Sequence, residues 1–342
     1  MATMIKVKIK TIFRVLFFLL LALCLTSCSA LSPANSSGAT PRTAKSALLL
    51  DTVITITLYG ETDDSIIDRC FDLCKEYEEI FSRTDADSEL YQLNQAGSLD
   101  VSPALLELTE KALDYCRISD GVFDITLGAI SEMYAFSSDE HRVPSREELD
   151  SALQHVGYEG IEITGSTIRL SDPRAVIDLG AIAKGYIADR LKEFLLENGQ
   201  KSAVINLGGN VLCVGSKPDG SDFVVGLQYP FEDVSKTIAQ IQVSDLSVVT
   251  SGVYERSFKQ DGVLYHHILN PETGLPYDNG LLSVSIVSPY SVDGDALSTV
   301  CFALGLEKGM ELIDSMDDIF AVFVTDDFEL HYSAGFDALL VQ

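Results

Sequence analysis

The chain has 342 residues, of which 46% are hydrophobic and 22% charged, and a formal net charge of -27 at pH 7. Such a chain can bury a full core, as one large domain or two smaller ones, and reads as globular. So acidic a body repels a phosphate polymer or an anionic membrane surface, which argues against nucleic acid as a partner.

The first element stands apart from the body. "MATMIKVKIKTIFR" carries Lys6, Lys8, Lys10 and Arg14 and no acid, and "VLFFLLLALCL" follows as an apolar run too short to span a bilayer stably. That order is the order of a secretory signal. The run closes on Leu25 to Cys28, "LTSC", which resembles the bacterial lipobox. Residues 1–27 are therefore expected to be a lipoprotein signal peptide, with Cys28 lipidated and holding the mature protein at the membrane. Residues 28–47 are rich in Ser, Ala, Pro and Thr. They cannot offset their ordering entropy by burial, and a flexible tether is expected. Residues 48–342 form the body.

In the body, "DTVITITLYG" alternates as a strand, and "DDSIIDRCFDLCKEYEEIFS" places Ile67, Phe71, Cys74 and Phe81 on one side of a helix. Ser102 and Pro103 open a second helix as cap and first-turn residue. Ser145 and Glu148 make a capping box for a third. "IEITGSTIRL" is a hairpin turning at Gly165, and "AVIDLGAIAKGYIADRLKEFLLENG" is a short strand running into a helix. "SAVINLGG", "VLCVGS", "FVVGLQY", "TIAQIQV" and "LSVVTSG" are strands, a hairpin turns at Asp261-Gly262, and the strand "LLSVSIVS" leads to the helix "SVDGDALSTVCFALG". Mostly adjacent strands with interposed helices predict an α+β fold of mixed, mainly antiparallel sheets, built as one intertwined unit. Cys70, Cys74, Cys116, Cys213 and Cys301 show no zinc-type spacing with histidines, so buried thiols are expected and no disulfide framework.

Three segments carry chemistry. Asp295 and Thr299 are four apart on a helix and share a face, a pair of hard oxygens that Mg²⁺ or Ca²⁺ accepts. The alternative is plain capping, with Asp293 or Asp295 accepting the first amides and Thr299 packing. Gly180 permits a tight turn whose amides suit an anion, and Lys184 one turn later could neutralise a phosphoryl oxygen; a turn with a solvated lysine is the alternative. In "HHILNPETGLP", Pro271 and Gly274 set a turn, and one of His266 and His267 could accept a proton, or serve structure alone.

Taken in order, "LLLDTVITI", "FSRTDADSELYQLN", "SDGVFDITLG", "IDLGAIAKGYIADR", "VINLGGNV", "VVTSGVYERSF", "HHILNPETGLP" and "VDGDALSTVCFALG" resemble the successive signatures of the FAD:protein FMN transferases, the ApbE family. The resemblance implies a T-fold-like α+β architecture and a magnesium site made by the Ala181 carbonyl and the side chains of Asp295 and Thr299. It places FAD contacts at Leu50, Thr84, Val122, Phe123, Asp124, Asp178, Lys184 and Leu269. His267, in the family's H-x-x-[DN]-P-x-T-G segment, is the implied base. The chain departs from the common pattern with Leu50 for Met, Thr84 for an aromatic residue, Ile125 for Pro and Asn270 for Asp. Asp178 and Asp124 also read as formers of local turns. Tyr254, Glu255 and Arg256 are candidates for the lining of the site and receive no role.

The activity so implied is transfer of FMN from FAD, a co-substrate, to a Ser or Thr hydroxyl of an extracytoplasmic acceptor flavoprotein of the redox-complex type, with release of AMP. Lys184, His267 and Asp295 are its catalytic candidates and Mg²⁺ its metal. A membrane-anchored lipoprotein outside the cytoplasm agrees with this, and a homodimer is compatible with it. Two rivals use the same features: a Mg²⁺-dependent pyrophosphatase giving FMN and AMP, and a surface lipoprotein that binds flavin without chemistry.

Overall fold

The computed structural model describes residues 41–61, 63–136, 138 and 140–341. The expected signal peptide, Cys28 and the tether as far as residue 40 lie outside the described residues. The chain runs through β1 (Arg42–Leu49), β2 (Thr52–Tyr59), α1 (Ser65–Phe81), α2 (Glu89–Ala96), β3 (Ser98–Asp100), α3 (Pro103–Ile118), α4 (Gly128–Tyr134), α5 (Arg146–Leu153), β4 (Ile161–Thr164) and β5 (Thr167–Leu170). It continues through α6 (Ala183–Glu197), β6 (Ala203–Leu207), β7 (Asn210–Val214), β8 (Phe223–Gln228), β9 (Thr237–Val243), β10 (Ser247–Gly252), β11 (Ser257–Gln260) and β12 (Val263–His266). The last elements are β13 (Leu281–Ser288), α7 (Ser291–Leu304), α8 (Leu306–Asp314), β14 (Phe320–Thr325) and β15 (Leu330–Tyr332).

Eight strands form the main sheet in the order β1-β2-β6-β7-β10-β13-β14-β15. Every pairing in it is antiparallel. Alternation along the strands supplies two apolar faces. Leu212, Val284, Ile286, Ala321 and Phe323 join the large core that also takes residues from α1, α3, α6 and α7. Their neighbours Cys213, Val287 and Val322 face the other way and pack with Phe223, Leu227 and Ile241 of the β8–β9 ribbon. The α+β body is thus layered helices on sheet on ribbon, continuous from Pro41.

Local chemistry explains the helix ends. Ser102 accepts a hydrogen bond from the Leu105 amide, and Pro103 sits in the first turn of α3. Both halves of the Ser145–Glu148 capping box are present in α5. On α1, Ile67, Cys70, Cys74 and Phe81 are the buried residues, a helical stripe that turns both thiols into the core. All five body cysteines are buried and free.

Two expectations are corrected. The tether was expected to reach residue 47, but Arg42–Leu49 is a strand, paired along its full length with β2. Its exposed residues alternate with half-buried ones, so an edge strand forms from a composition that looks like linker. The short strand expected before α6 is reduced to a single parallel bridge, Val176 with Leu127. The next backbone groups are satisfied elsewhere: Asn94 bonds both the N–H and the C=O of Ile177, at 2.8 and 2.9 Å, and the Asp178 amide donates to the Ile125 carbonyl at 2.7 Å.

Candidate active site

The site forms where α6 meets the first turns of α7. A Cβ on Gly185 would stand 2.6 Å from Val292 Cα and closer still to the Ser291 carbonyl, so only glycine lets the two backbones touch. Asp189, one turn further along α6, accepts from the amides of Ser291 and Val292 at 2.8 and 2.9 Å. It is the N-terminal cap of α7, supplied by another helix. Burial pushes its carboxyl up to about 6 against the two amide bonds that favour the charged form.

This contact decides what the acids of α7 do. Neither caps its own helix. Asp293 accepts from the Tyr115 hydroxyl at 2.6 Å and pairs with Lys111 at 2.8 Å, which ties α7 to α3. Asp295 is nearly buried and accepts from the Gly185 amide through Oδ2 at 2.8 Å. Gly185 is the third residue of α6, so its amide is one of the first-turn donors without an intrahelical acceptor, and Asp295 satisfies it from α7. Asp295 Oδ1 is turned toward Lys184, whose Nζ is 3.9 Å away. Thr299, one turn on, has its hydroxyl 3.1 Å from the Ser251 hydroxyl.

A carbonyl, one carboxylate oxygen and a hydroxyl are the hard donors that magnesium takes, and they fit that ion. Among the described residues there is no group of three His, Cys, Asp or Glu side chains suited to a metal. A site with one carboxylate leaves positions that a substrate's phosphate oxygens could fill.

The turn before α6 departs from expectation. The Gly180 amide donates to Asp178 Oδ1 at 2.8 Å, and the Ile182 and Ala183 amides both donate to the Leu179 carbonyl. These amides are engaged within the turn instead of facing an anion. The positive field comes from side chains.

His267 follows directly after β12. Its amide donates to the Arg256 carbonyl at 3.1 Å, and its half-buried ring has Nδ1 enclosed with no partner. Burial first, then the charges of Arg256, His266 and Lys184, push the imidazole down to about 3, so it is neutral and can accept a proton. The Glu255 side chain reaches solvent, and desolvation of its carboxyl pushes it up to about 7, with Asp295 adding to the shift and Lys184 and Arg256 opposing it. Sequence reasoning gave Glu255 and Arg256 no role. The available signal was their place beside a glycine-containing turn, three and four residues after the strand end at Gly252. His266 faces the core and bonds the Tyr277 carbonyl at 2.9 Å, as strand alternation requires. Asn270 closes its turn by accepting from the Glu272 amide at 2.8 Å, a role an aspartate oxygen would fill equally.

The remaining candidates flank this cluster. Asp178 and Val176 connect to Thr84 through Arg83, which bonds Asp178 Oδ2 at 3.1 Å and Glu132 at 3.3 Å. Arg83, Thr84, Asn94, Glu132 and Val176 line a hollow of about 220 Å³. Val122 accepts from the Tyr277 hydroxyl at 2.9 Å, Phe123 is buried, and Asp124 spends its carboxylate on the Thr126 and Tyr158 amides and the Thr126 hydroxyl. Leu269 is buried and bridges Pro276. Leu50 sits at the β1–β2 turn in the left-handed region, φ 54°, with its amide on Glu78 at 3.0 Å.

An acid, a lysine and a neutral imidazole gathered at one helix crossing are the equipment of an enzyme that handles an anionic group. The ApbE family model matches residues 50–323, and the chain belongs to the ApbE family. It is 35% identical over 294 residues to an FAD:protein FMN transferase of Klebsiella pneumoniae, covering 84% of this chain and 91% of that protein. An FAD:protein FMN transferase of Treponema pallidum is 34% identical over 314 residues, covering 85% and 87%. The solved flavin transferase ApbE of Vibrio cholerae superimposes with a TM-score of 0.79 at 26% identity, covering 88% of this chain and all of that one. The ApbE protein of Thermotoga maritima does so with a TM-score of 0.82 at 29% identity and the same coverage.

Proposed function

We infer that this chain is an FAD:protein FMN transferase, an enzyme that takes FAD as substrate and places FMN on an acceptor protein, as its relatives are named for doing. In the reaction we propose, a Ser or Thr hydroxyl of the acceptor attacks the FMN-side phosphorus. The bond to the AMP oxygen breaks, AMP leaves, and FMN stays on the acceptor through a phosphoester. The hydroxyl proton passes to His267 Nε2, the ring nitrogen that is not enclosed. Lys184 faces the developing charge from the side of Asp295. Ala181, Asp295 and Thr299 would hold Mg²⁺, which when bound supplies Lewis-acid polarisation of the pyrophosphate and charge neutralisation at the leaving group. FAD would lie across Leu50, Thr84, Val122, Phe123, Asp124, Asp178 and Leu269. Contact at Asp124 and Asp178 then uses backbone or spare lone pairs, because both carboxylates already accept local bonds. The basic-then-apolar leader and "LTSC" support an acceptor outside the cytoplasm, met by an enzyme anchored through Cys28.

The observation that carries this reading is Asp295, a buried carboxylate with one oxygen on the Gly185 amide of α6 and the other 3.9 Å from Lys184 Nζ. Incubating the protein with FAD and Mg²⁺, with and without a flavin-acceptor domain, and following AMP tests it. AMP that appears only with the acceptor is expected. Equal release without it would make the enzyme a pyrophosphatase. Asp295→Ala should abolish release and keep much of the FAD affinity; unchanged release would remove the metal from the mechanism.

A further inference from the structure

An anionic dinucleotide must be held by a chain of net charge -27, so the cations at the site decide how. Lys184 is shared with Asp295, Arg83 is committed to Asp178 and Glu132, and the amides at the start of α6 are engaged in their own turn. Arg256 differs from these. Among the described residues it has no ion-pair partner.

Its position is set by the β11–β12 ribbon. Ser257 pairs with His266, and the His267 amide donates to the Arg256 carbonyl, so Arg256 and His267 are the next facing pair. Facing residues of an antiparallel ribbon have Cβ atoms ~4.5–5.5 Å apart on one face. The guanidinium therefore stands beside the imidazole, and its charge is felt there more strongly than that of Lys184 or His266. The ring's Nδ1 is enclosed, which leaves Nε2 as the nitrogen open to a substrate. Asp295 is paired with Lys184, and Glu255, next to Arg256 in the chain, feels its charge without an ion pair between them among the described residues. A planar fork of N–H donors without a carboxylate is suited to the tetrahedral oxygens of a phosphate.

Building on the transferase reading, we propose that Arg256 is a substrate-binding residue whose guanidinium receives an oxygen of the FAD pyrophosphate beside His267. Phosphate binding then cancels the cation nearest the imidazole, so that arrival of the substrate also readies the base.

The test compares the whole protein with Arg256→Gln and Arg256→Lys, measuring affinity for FAD and for riboflavin, which lacks phosphate, by flavin fluorescence. Arg256→Gln should lose on the order of ten- to a hundredfold in FAD affinity and keep its riboflavin affinity, with partial recovery in Arg256→Lys. Adding inorganic pyrophosphate should move the His267 ring resonances in the parent and not in Arg256→Gln. Equal losses for FAD and riboflavin, or no loss for either, would overturn the assignment. If the parent transfers FMN and Arg256→Gln binds FAD as tightly, only Arg256 is misassigned. If the parent binds FAD but neither transfers FMN nor releases AMP, the transferase reading fails while the affinity comparison still decides the role of Arg256.

Discussion

His267 is anchored through its backbone, while its ring is flanked by cations and has one nitrogen that meets no partner. A histidine so placed stays uncharged from about pH 5 to pH 8, where a free one would titrate. Its NMR shifts should therefore show no inflection near 6.5 in the protein without ligands; an inflection there would mean a solvated, cation-free ring. The sign for stability follows from the unfolded chain, whose histidine binds a proton below about 6.5 while the folded one resists until about 3. Acid in that interval draws the equilibrium toward unfolding. Residue type, spacing and family likeness single out His267, Lys184 and Asp295 in the sequence, and the structure sets Lys184 Nζ 3.9 Å from Asp295. Spacing from Thr299 set Asp295 apart from Asp293, but the role of Asp293 was not legible, since its partners Tyr115 and Lys111 lie on a distant helix. Arg256 was illegible for the same reason: its meaning comes from the residue across the ribbon.

At the scale of elements, α6 grips α7 at two points, through Asp189 on its first amides and through Gly185 on Asp295. Asp189→Ala strands two buried amides. It should cost roughly 2 kcal/mol in urea unfolding, reduced by the relief of burying a charge. A loss near zero would show that water can cap the helix there. Gly185→Ala forces the helices apart, and overpacking of this kind costs about 1–3 kcal/mol. Its folded fraction should also need more Mg²⁺ for half-maximal AMP release, because Asp295 shifts with the helix; an unchanged Mg²⁺ requirement would sever Gly185 from the site. Helix starts with their own caps, at Ser102 and Ser145, could be read directly from the chain. The start of α7 could not, because its cap comes from a residue about a hundred positions earlier. The strand expected before α6 failed because Asn94 replaces a neighbouring strand as the partner of Ile177.

Across the whole molecule, the main sheet separates a helical core from a ribbon-covered one, and the cysteines are distributed between them: Cys70, Cys74, Cys116 and Cys301 with the helices, Cys213 with the ribbon. Burial pushes the Cys70, Cys74, Cys116 and Cys213 thiols up to about 12 and Cys301 higher still. None of the five should react with a thiol reagent until the body opens. Stopped labelling under rising urea should release all five together; early release of Cys213 alone would reveal that the ribbon layer detaches first. The α+β class was legible because strands separated by short turns alternate cleanly, as in "SAVINLGG" and "LSVVTSG". The fate of Arg42–Leu49 was not, since a polar segment becomes a strand only when a neighbour offers an open edge.

The bare backbone contact at Gly185 has one more consequence. Helices that touch through main chain have no side-chain cushion to compress, so this socket cannot breathe by parting its walls. Accommodation of a guest then falls to the opposite rim, the bend from Tyr254 to Arg256, and selectivity among dinucleotides should be altered more readily by exchanging residues there than anywhere along the rigid seam.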